Sequence, residues 1–324
     1  MAVVLLLLAA YALRLFRLDA QSLWWDEGIS LHLATSGAAE IVRDRLANIH
    51  PPLYFFLLKG WLALVGVSPF TGRYLSVLAG LLQVALAFAA TAYWTRRAGL
   101  SARPARRAAW LAGGLMLLSP LSVIYSQETR VYALLPVVYL LLLLLAGRWL
   151  AAPTAGRLWG LAAVAWLGLH LHYIALFAVA YVAAWGMFVL LRRGDGAALR
   201  RWLLAYALVA LASLPWLLAV VAHWPVVRAE AAAGTFTTEP VPLPFLFAQV
   251  WAFHLTGLAG SLGSALVRWL AGAAALALGG LLAAAAGVLA LGGGAVALGA
   301  LAPQLPAAGG GGAAVGPQLA RQAV

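Results

Sequence analysis

Two adjacent carboxylates, Asp26 and Glu27, follow two indole rings in the string Trp24-Trp25-Asp26-Glu27. Such a pair can take a proton from a hydroxyl, and it can equally cap the first turn of a surface helix, where negative charge is favourable. His50-Pro51-Pro52-Leu53-Tyr54-Phe55 sets an imidazole ahead of two prolines that fix an extended entry and supply a helix start. A ligand-binding group and a plain cap are both open there. In Tyr125-Ser126-Gln127-Glu128-Thr129-Arg130-Val131-Tyr132 a carboxylate and a guanidinium separate two runs that are otherwise almost wholly apolar. Ionisable groups at a helix centre in a membrane cost roughly 2.5–3.5 kcal/mol each and tend to mark functional sites; the alternative is a turn whose charges pair with their own neighbours. His170-Leu171-His172-Tyr173 offers two more imidazoles. Alternate residues on a helix point about 200° apart, so His170 and His172 would chelate a metal only from an irregular link, and hydrogen bonding to a substrate is the simpler use.

The elements that carry these groups read as membrane helices. Of 324 residues, 65% are apolar and 9% charged, against roughly 45–50% and about 25% in soluble domains. A hydrocarbon core about 30 Å thick takes about 20 apolar residues, somewhat fewer where neighbours shelter the ends. Runs of this kind cover approximately 1–18, 73–95, 108–124, 131–150, 158–173, 174–191, 202–222 and 268–291, and backbone satisfaction in lipid makes each a helix. The expected fold class is all-α, a polytopic transmembrane helical bundle of about eight spans. The first run lacks a basic leader and a small-x-small cleavage site and is followed by Arg14 and Arg17, so it reads as a retained span and not a cleaved signal.

Charge supplies the orientation. The 21 Lys and Arg exceed the 9 Asp and Glu by twelve, and eleven arginines fall in three links (Arg96 to Arg107, Arg148 to Arg157, Arg192 to Arg201) with only Asp195 beside them. The positive-inside rule places those links in the cytoplasm. The excess charge is thus a topological signal, not a nucleic-acid footprint. The alternate links hold the other eight acids and all four polar strings, which therefore converge on the extracytoplasmic side of the cytoplasmic membrane. The absence of cysteine excludes disulfides, zinc–thiolate sites and thiol catalysis. Asp26, Glu27, His50 and the histidine pair leave a divalent metal open, with no diagnostic spacing.

Two outer connections are long. Residues 19–72 contain short apolar stretches such as 52–67, suited to helices lying at the interface. Residues 223–267 carry Pro225, Pro240, Pro242 and Pro244 and read as a turn-rich loop with a short interfacial helix near 245–258. Residues 1–269 form a membrane-embedded core. Residues 270–324 hold most of the last span and a low-complexity tail with no aromatic residue, the single charge Arg321 and the run Gly309 to Gly312. That composition favours a truncated or frame-shifted end over a naturally flexible tail.

The strings Ser22-Leu23-Trp24-Trp25-Asp26-Glu27, His50-Pro51-Pro52-Leu53-Tyr54, Ser126-Gln127-Glu128-Thr129-Arg130-Val131-Tyr132-Ala133-Leu134 and His172-Tyr173, in this order and spacing, resemble the bacterial relatives of the protein O-mannosyltransferases and of the lipid A aminoarabinose transferases, polytopic glycosyltransferases of the GT-C class. The resemblance spans approximately residues 10–250. It implies a sugar donor carried on a polyprenyl phosphate in the membrane lipid and a hydroxyl-bearing acceptor on protein, lipid or glycan. It further implies that Asp26 is the general base and that Glu27 orients the acceptor or Asp26. A polyprenyl phosphate leaves as a stable anion, so it needs positive charge more than an acid; Arg130, with Arg73 or Arg17, would supply it. His50, Tyr54, Glu128, Tyr132, His170, His172 and Tyr173 complete the expected substrate-binding set. A transporter or lipid flippase is the competing reading. Transporters place ionisable groups near the midplane between internal repeats, whereas here the charges gather at one face and no repeat is evident.

Overall fold

The computed structural model describes residues 2–48 and 50–230. The region expected to hold most of the second long loop, the interfacial helix near 245–258, the final span at 268–291 and the low-complexity tail lies outside the described residues. Among the described residues every regular element is helical. In chain order these are α1 (Ala2–Leu15), α2 (Trp25–Thr35), α3 (Ala38–Ala47), α4 (Leu53–Val65), α5 (Pro69–Arg97), α6 (Ala102–Leu118), α7 (Pro120–Ser126), a 3-10 turn at Val131–Ala133, α8 (Leu134–Ala151), α9 (Ala155–Leu171), α10 (Ala175–Arg193) and α11 (Gly196–Glu230).

Four helical segments, Pro69–Arg97, Val131–Ala151, Ala175–Arg193 and Gly196–Val226, are long and apolar enough to cross a membrane, and α6 with α7 makes a fifth if that pair, bent by 54°, is one span. The run expected as one span at 108–124 is therefore broken. The cause is Pro120: the residue before a proline is pushed out of the helical region, and Ser119 sits at φ −58°, ψ 117°. The connection expected to open at His223 instead continues α11 through Pro225 to Glu230. A proline removes one ladder hydrogen bond without always ending a long helix.

The long helix α5 is the axis of the bundle. It starts on a reciprocal cap, in which Ser68 Oγ accepts from the Thr71 amide and Thr71 Oγ1 accepts from the Ser68 amide, with Pro69 as the first helical residue. It packs against α1, α4, α6, α7 and α8, while α9 and α10 pack on α8 and α11 packs on α9 and α10. Trp149 and Trp202, both almost fully buried, fill the second group. Gly186 makes room for Trp202, since a Cβ there would lie 2.1 Å from the indole. At the basic end of the bundle, Arg157 and Arg193 donate to the Arg148 and Leu150 carbonyls in the last turn of α8, where positive charge complements the helix dipole.

Arg14, which the sequence offered only as a flank to the first run, is 0% exposed and sits against the α6–α7 break. A buried charge is tolerated only when its donors are satisfied. Its Nε donates to Ser126 Oγ (3.2 Å), Nη1 to the carbonyls of Ala10 (3.3 Å) and Leu117 (3.5 Å), and Nη2 to the carbonyl of Met116 (3.2 Å) and to Ser122 Oγ (2.8 Å). The carbonyls of Met116 and Leu117 are at the negative end of α6, freed by the break, so the guanidinium caps α6 internally. Ser122 Oγ passes the network to Gln83 Oε1 (2.7 Å), and Gln83 Nε2 donates to the carbonyl of Ala133 (2.6 Å) at the start of α8. A Cβ on Gly80 would lie 2.0 Å from Ser126 Oγ and 2.6 Å from Arg14 Nε. Gly80→Ala is therefore expected to destabilise the protein by about 1–3 kcal/mol, whereas Gly114→Ala, with open space at its Cβ, should be close to neutral; thermal unfolding of the two variants in detergent checks the contrast.

Candidate functional site

Glu27 stands in the first turn of α2 and is 1% exposed. Its carboxylate crosses to α5: Arg73 Nε donates to Oε1 (2.9 Å) and Nη2 to Oε2 (2.7 Å), a two-point pair, and the Thr129 amide donates to Oε1 (2.8 Å). The rest of the Arg73 fork goes to the carbonyls of Leu18 (2.8 Å), Gln21 (3.0 Å) and Ser22 (3.2 Å). Burial pushes the Glu27 carboxyl up, but the hydrogen bonds from Arg73 and Thr129, together with the Arg73 charge, outweigh it and hold the group below the ordinary glutamate range. Three distant segments are thereby clamped together.

This geometry corrects one expectation and narrows another. All five N–H donors of Arg73 are engaged by protein, so none is left for a donor phosphate. Glu27, 1% exposed, has no free face from which to touch an acceptor, which leaves the other half of its expected role, orienting its neighbour. That neighbour is Asp26, turned about 100° further round the helix. Asp26 is about one-third exposed and pairs with Arg130, Oδ2 to Nη2 3.2 Å. Arg130 also reaches the Asp26 carbonyl (3.4 Å) and the Tyr132 hydroxyl (3.3 Å), and its guanidinium lies near the rings of Tyr132 (5.4 Å) and Trp24 (6.0 Å).

Arg130 lines a pocket with Arg45, His50, Tyr54, Phe55 and His172. Three of the four polar strings thus meet there, and the fourth, through Asp26, stands at its edge. The imidazoles of His50 and His172 are 6.1 Å apart, and that of His172 is 6.0 Å from the Tyr132 ring. His50 Nδ1 lies 2.6 Å from the Asn48 carbonyl, which can only accept, so neutral His50 keeps its proton there and presents a bare Nε2. His172 Nδ1 accepts from the Ile174 amide (3.2 Å), so neutral His172 carries its proton on Nε2. Desolvation by the surrounding protein lowers His50, the Asn48 hydrogen bond opposes that, and Arg45 and Arg130 lower it further. Desolvation and the neighbouring His50 and Arg130 lower His172 in the same way. The Tyr54 hydroxyl is buried without a hydrogen-bond partner, in a residue only 2% exposed.

Arg45 is the residue the sequence reading missed. It is buried, pairs with Asp44 and lies over the Phe55 ring at 4.6 Å. A signal was present: it falls four residues after Ile41, on the apolar stripe of α3, where an arginine has to have a partner. Glu128 lies behind Arg130 with Oε2 buried and unpartnered. Burial first, then the charge of Glu27, push its carboxyl up to about 7 against the opposing pull of Arg130 and Arg73.

His170 and Tyr173 are not part of this group. The His170 ring stacks on Trp166 at 4.2 Å and shares its Nδ1 with the Trp166 carbonyl (2.9 Å), one turn back on α9. The Tyr173 hydroxyl accepts from Trp216 Nε1 of α11 (2.9 Å). Both serve helix packing, and His170 and His172 do not converge. Among the described residues no three of His, Asp or Glu gather in a way that could hold a metal ion. Compared with known proteins, the chain matches no family model, no curated protein and no solved structure.

Removing one partner from a buried pair costs about 3–5 kcal/mol, while a partly exposed pair contributes about 0–1 kcal/mol. Glu27→Gln should therefore lower stability sharply and Asp26→Asn hardly at all, as read by thermal unfolding. Because the folded Glu27 carboxyl titrates below its unfolded value, its stabilisation is present above the ordinary glutamate range and lost as pH falls through the folded pKa. The Glu27→Gln protein should lack that acid-side loss.

Proposed function

We propose that the chain is a membrane glycosyltransferase that moves a sugar from a polyprenyl phosphate to a hydroxyl acceptor. The observation that supports it is the partly exposed carboxylate–guanidinium pair of Asp26 with Arg130, at the edge of a pocket lined by two guanidiniums, two imidazoles and no carboxylate. Such a lining suits a phosphodiester, and a base beside it suits an incoming hydroxyl. The resemblance of the four strings to GT-C enzymes points the same way.

In the proposed reaction the acceptor oxygen attacks the anomeric carbon as the bond from that carbon to the phosphate oxygen breaks. The acceptor proton passes to an Asp26 carboxylate oxygen. The electron pair of the broken bond stays on the phosphate, which leaves as polyprenyl phosphate, so a single displacement inverts the configuration. Arg130 and Arg45 hold the phosphate as its charge grows, Arg45 taking the place first given to Arg73. The His172 Nε2 proton and the Tyr54 hydroxyl are further donors to its oxygens. Glu27, through Arg73 and Thr129, keeps Asp26 and Arg130 at their separation.

The lipid tail accounts for building such an enzyme in a bilayer. In the proposed arrangement α1 and α9, with 14 and 17 residues, cross the membrane with the longer helices to approach eight spans, and α2, α3 and α4 lie at the extracytoplasmic interface. The arginine-rich links face the cytoplasm.

Membranes carrying the protein, given radiolabelled polyprenyl-phosphate sugar, should label a hydroxyl-bearing acceptor. Asp26→Asn should abolish labelling while insertion and unfolding temperature are kept; labelling at the parental rate by that variant overturns the base assignment. Arg130→Ala and Arg45→Ala should raise the donor concentration needed for half-maximal rate at least tenfold and leave acceptor dependence nearly unchanged. Ionisation of Glu128 adds negative charge beside Arg130, so donor binding should weaken as pH rises through about 7; Glu128→Gln should flatten that dependence, as measured by donor titrations between acid and alkaline pH.

A further inference from the structure

The hairpin of α5 and α6 carries a second basic group at the end of the bundle away from Asp26. On α5, Phe88, Ala92 and Arg96 recur every four residues and so share one face. With Ala102, Arg103, Ala105 and Arg106 of α6 they line a groove. At 1.5 Å rise per residue, Phe88 lies about 12 Å along α5 from Arg96. The groove is therefore apolar along its length and cationic at one end. Phe88 is held edge-on against Trp110 at 5.3 Å, which gives the apolar part a fixed wall.

The three guanidiniums are exposed, and none makes an ion pair among the described residues. No acid occurs anywhere from Arg96 to Arg107. Arg96 has a helical reason to be where it is, since it occupies the last turn of α5, at the negative end of its dipole. Arg103 and Arg106 have none. They sit in the opening turns of α6, whose first turn holds no acid and whose leading Ser101 makes no side-chain cap. Positive charge at that end of a helix is disfavoured, and the arginines repel one another as well. A negatively charged group seated between them would relieve both costs.

We propose that this groove holds one anionic phospholipid, its phosphate between Arg96, Arg103 and Arg106 and an acyl chain along Phe88, Ala92 and Ala105. A soluble anion would use only the cationic end, whereas the apolar wall continues along the helices proposed to lie in the bilayer. Basic pockets between membrane helices suit anionic head groups on the same physical grounds. The proposal depends on α5 and α6 lying in a membrane and is independent of sugar transfer.

The test uses the purified full chain in detergent, titrated with phosphatidylglycerol or phosphatidylcholine of identical acyl chains, with retained lipid counted by native mass spectrometry. One phosphatidylglycerol should be retained at least tenfold more tightly than phosphatidylcholine. The triple variant Arg96→Gln, Arg103→Gln, Arg106→Gln should lose that preference. The triple variant Arg97→Gln, Arg107→Gln, Arg201→Gln removes the same charge outside the groove and should keep it. Ala92→Trp, which leaves every charge in place, should also lose the bound lipid by filling the apolar wall. Inorganic phosphate should not displace it. Equal retention of both lipids, equal loss in the two triple variants, unchanged retention in Ala92→Trp, or full displacement by phosphate would each overturn the proposal.

Discussion

The architecture around the site depends on one ion pair. Glu27 and Arg73 are 1% and 3% exposed, among helices whose residues are otherwise mostly apolar. Two such charges are stable there only because each satisfies the other and the remaining donors find carbonyls. That requirement leaves the chain little freedom. The segment from Leu18 to Ser22 must turn its carbonyls to Arg73, α2 must present Glu27 to α5, and the 127–130 link must bring the Thr129 amide to the same carboxylate. Asp26 and Arg130 are each one residue from members of this clamp, so their meeting is a consequence of it.

Counting donors separates the arginines that build the protein from those left to act. Arg14 and Arg73 spend all five N–H groups on the protein, the first across the break between α6 and α7, the second across the loop before α2. Arg130 and Arg45 each have an acid beside them and still face a pocket. The same test sorts the histidines. His170 is occupied within its own helix by stacking on Trp166 and the Trp166 carbonyl, while His50 and His172 each spend one ring nitrogen on the backbone and keep Nε2 for something else.

Much of this was legible beforehand, for identifiable reasons. Apolar runs without period-two alternation lead to helices because no other open structure satisfies backbone groups in lipid. The alternation of arginine-rich and acid-bearing links predicted which polar strings share one end of the bundle, and Asp26, His50, Arg130 and His172 do meet there. Charge alone could not rank Arg73 against Arg45. One begins an apolar run and the other lies in a short amphipathic helix, and only the positions of Glu27, Asp44 and the nearby carbonyls separate a spent guanidinium from an open one. The break in the 108–124 run had a visible cause in Pro120. Its use as a cap site for Arg14 had no visible sign, because the partners are more than a hundred residues away in the chain.

Residue types and their spacing, taken alone, determined that the described residues are helical, that the chain is strongly apolar, and which side chains were rich enough in chemistry to matter. These are local properties: hydropathy over about 20 residues and the reactivity of individual groups. The tertiary structure decided which of those groups are free. Whether a donor is occupied depends on atoms brought from elsewhere in the chain, and satisfaction of buried charge is therefore a property of the packed bundle, which no stretch of sequence carries within itself.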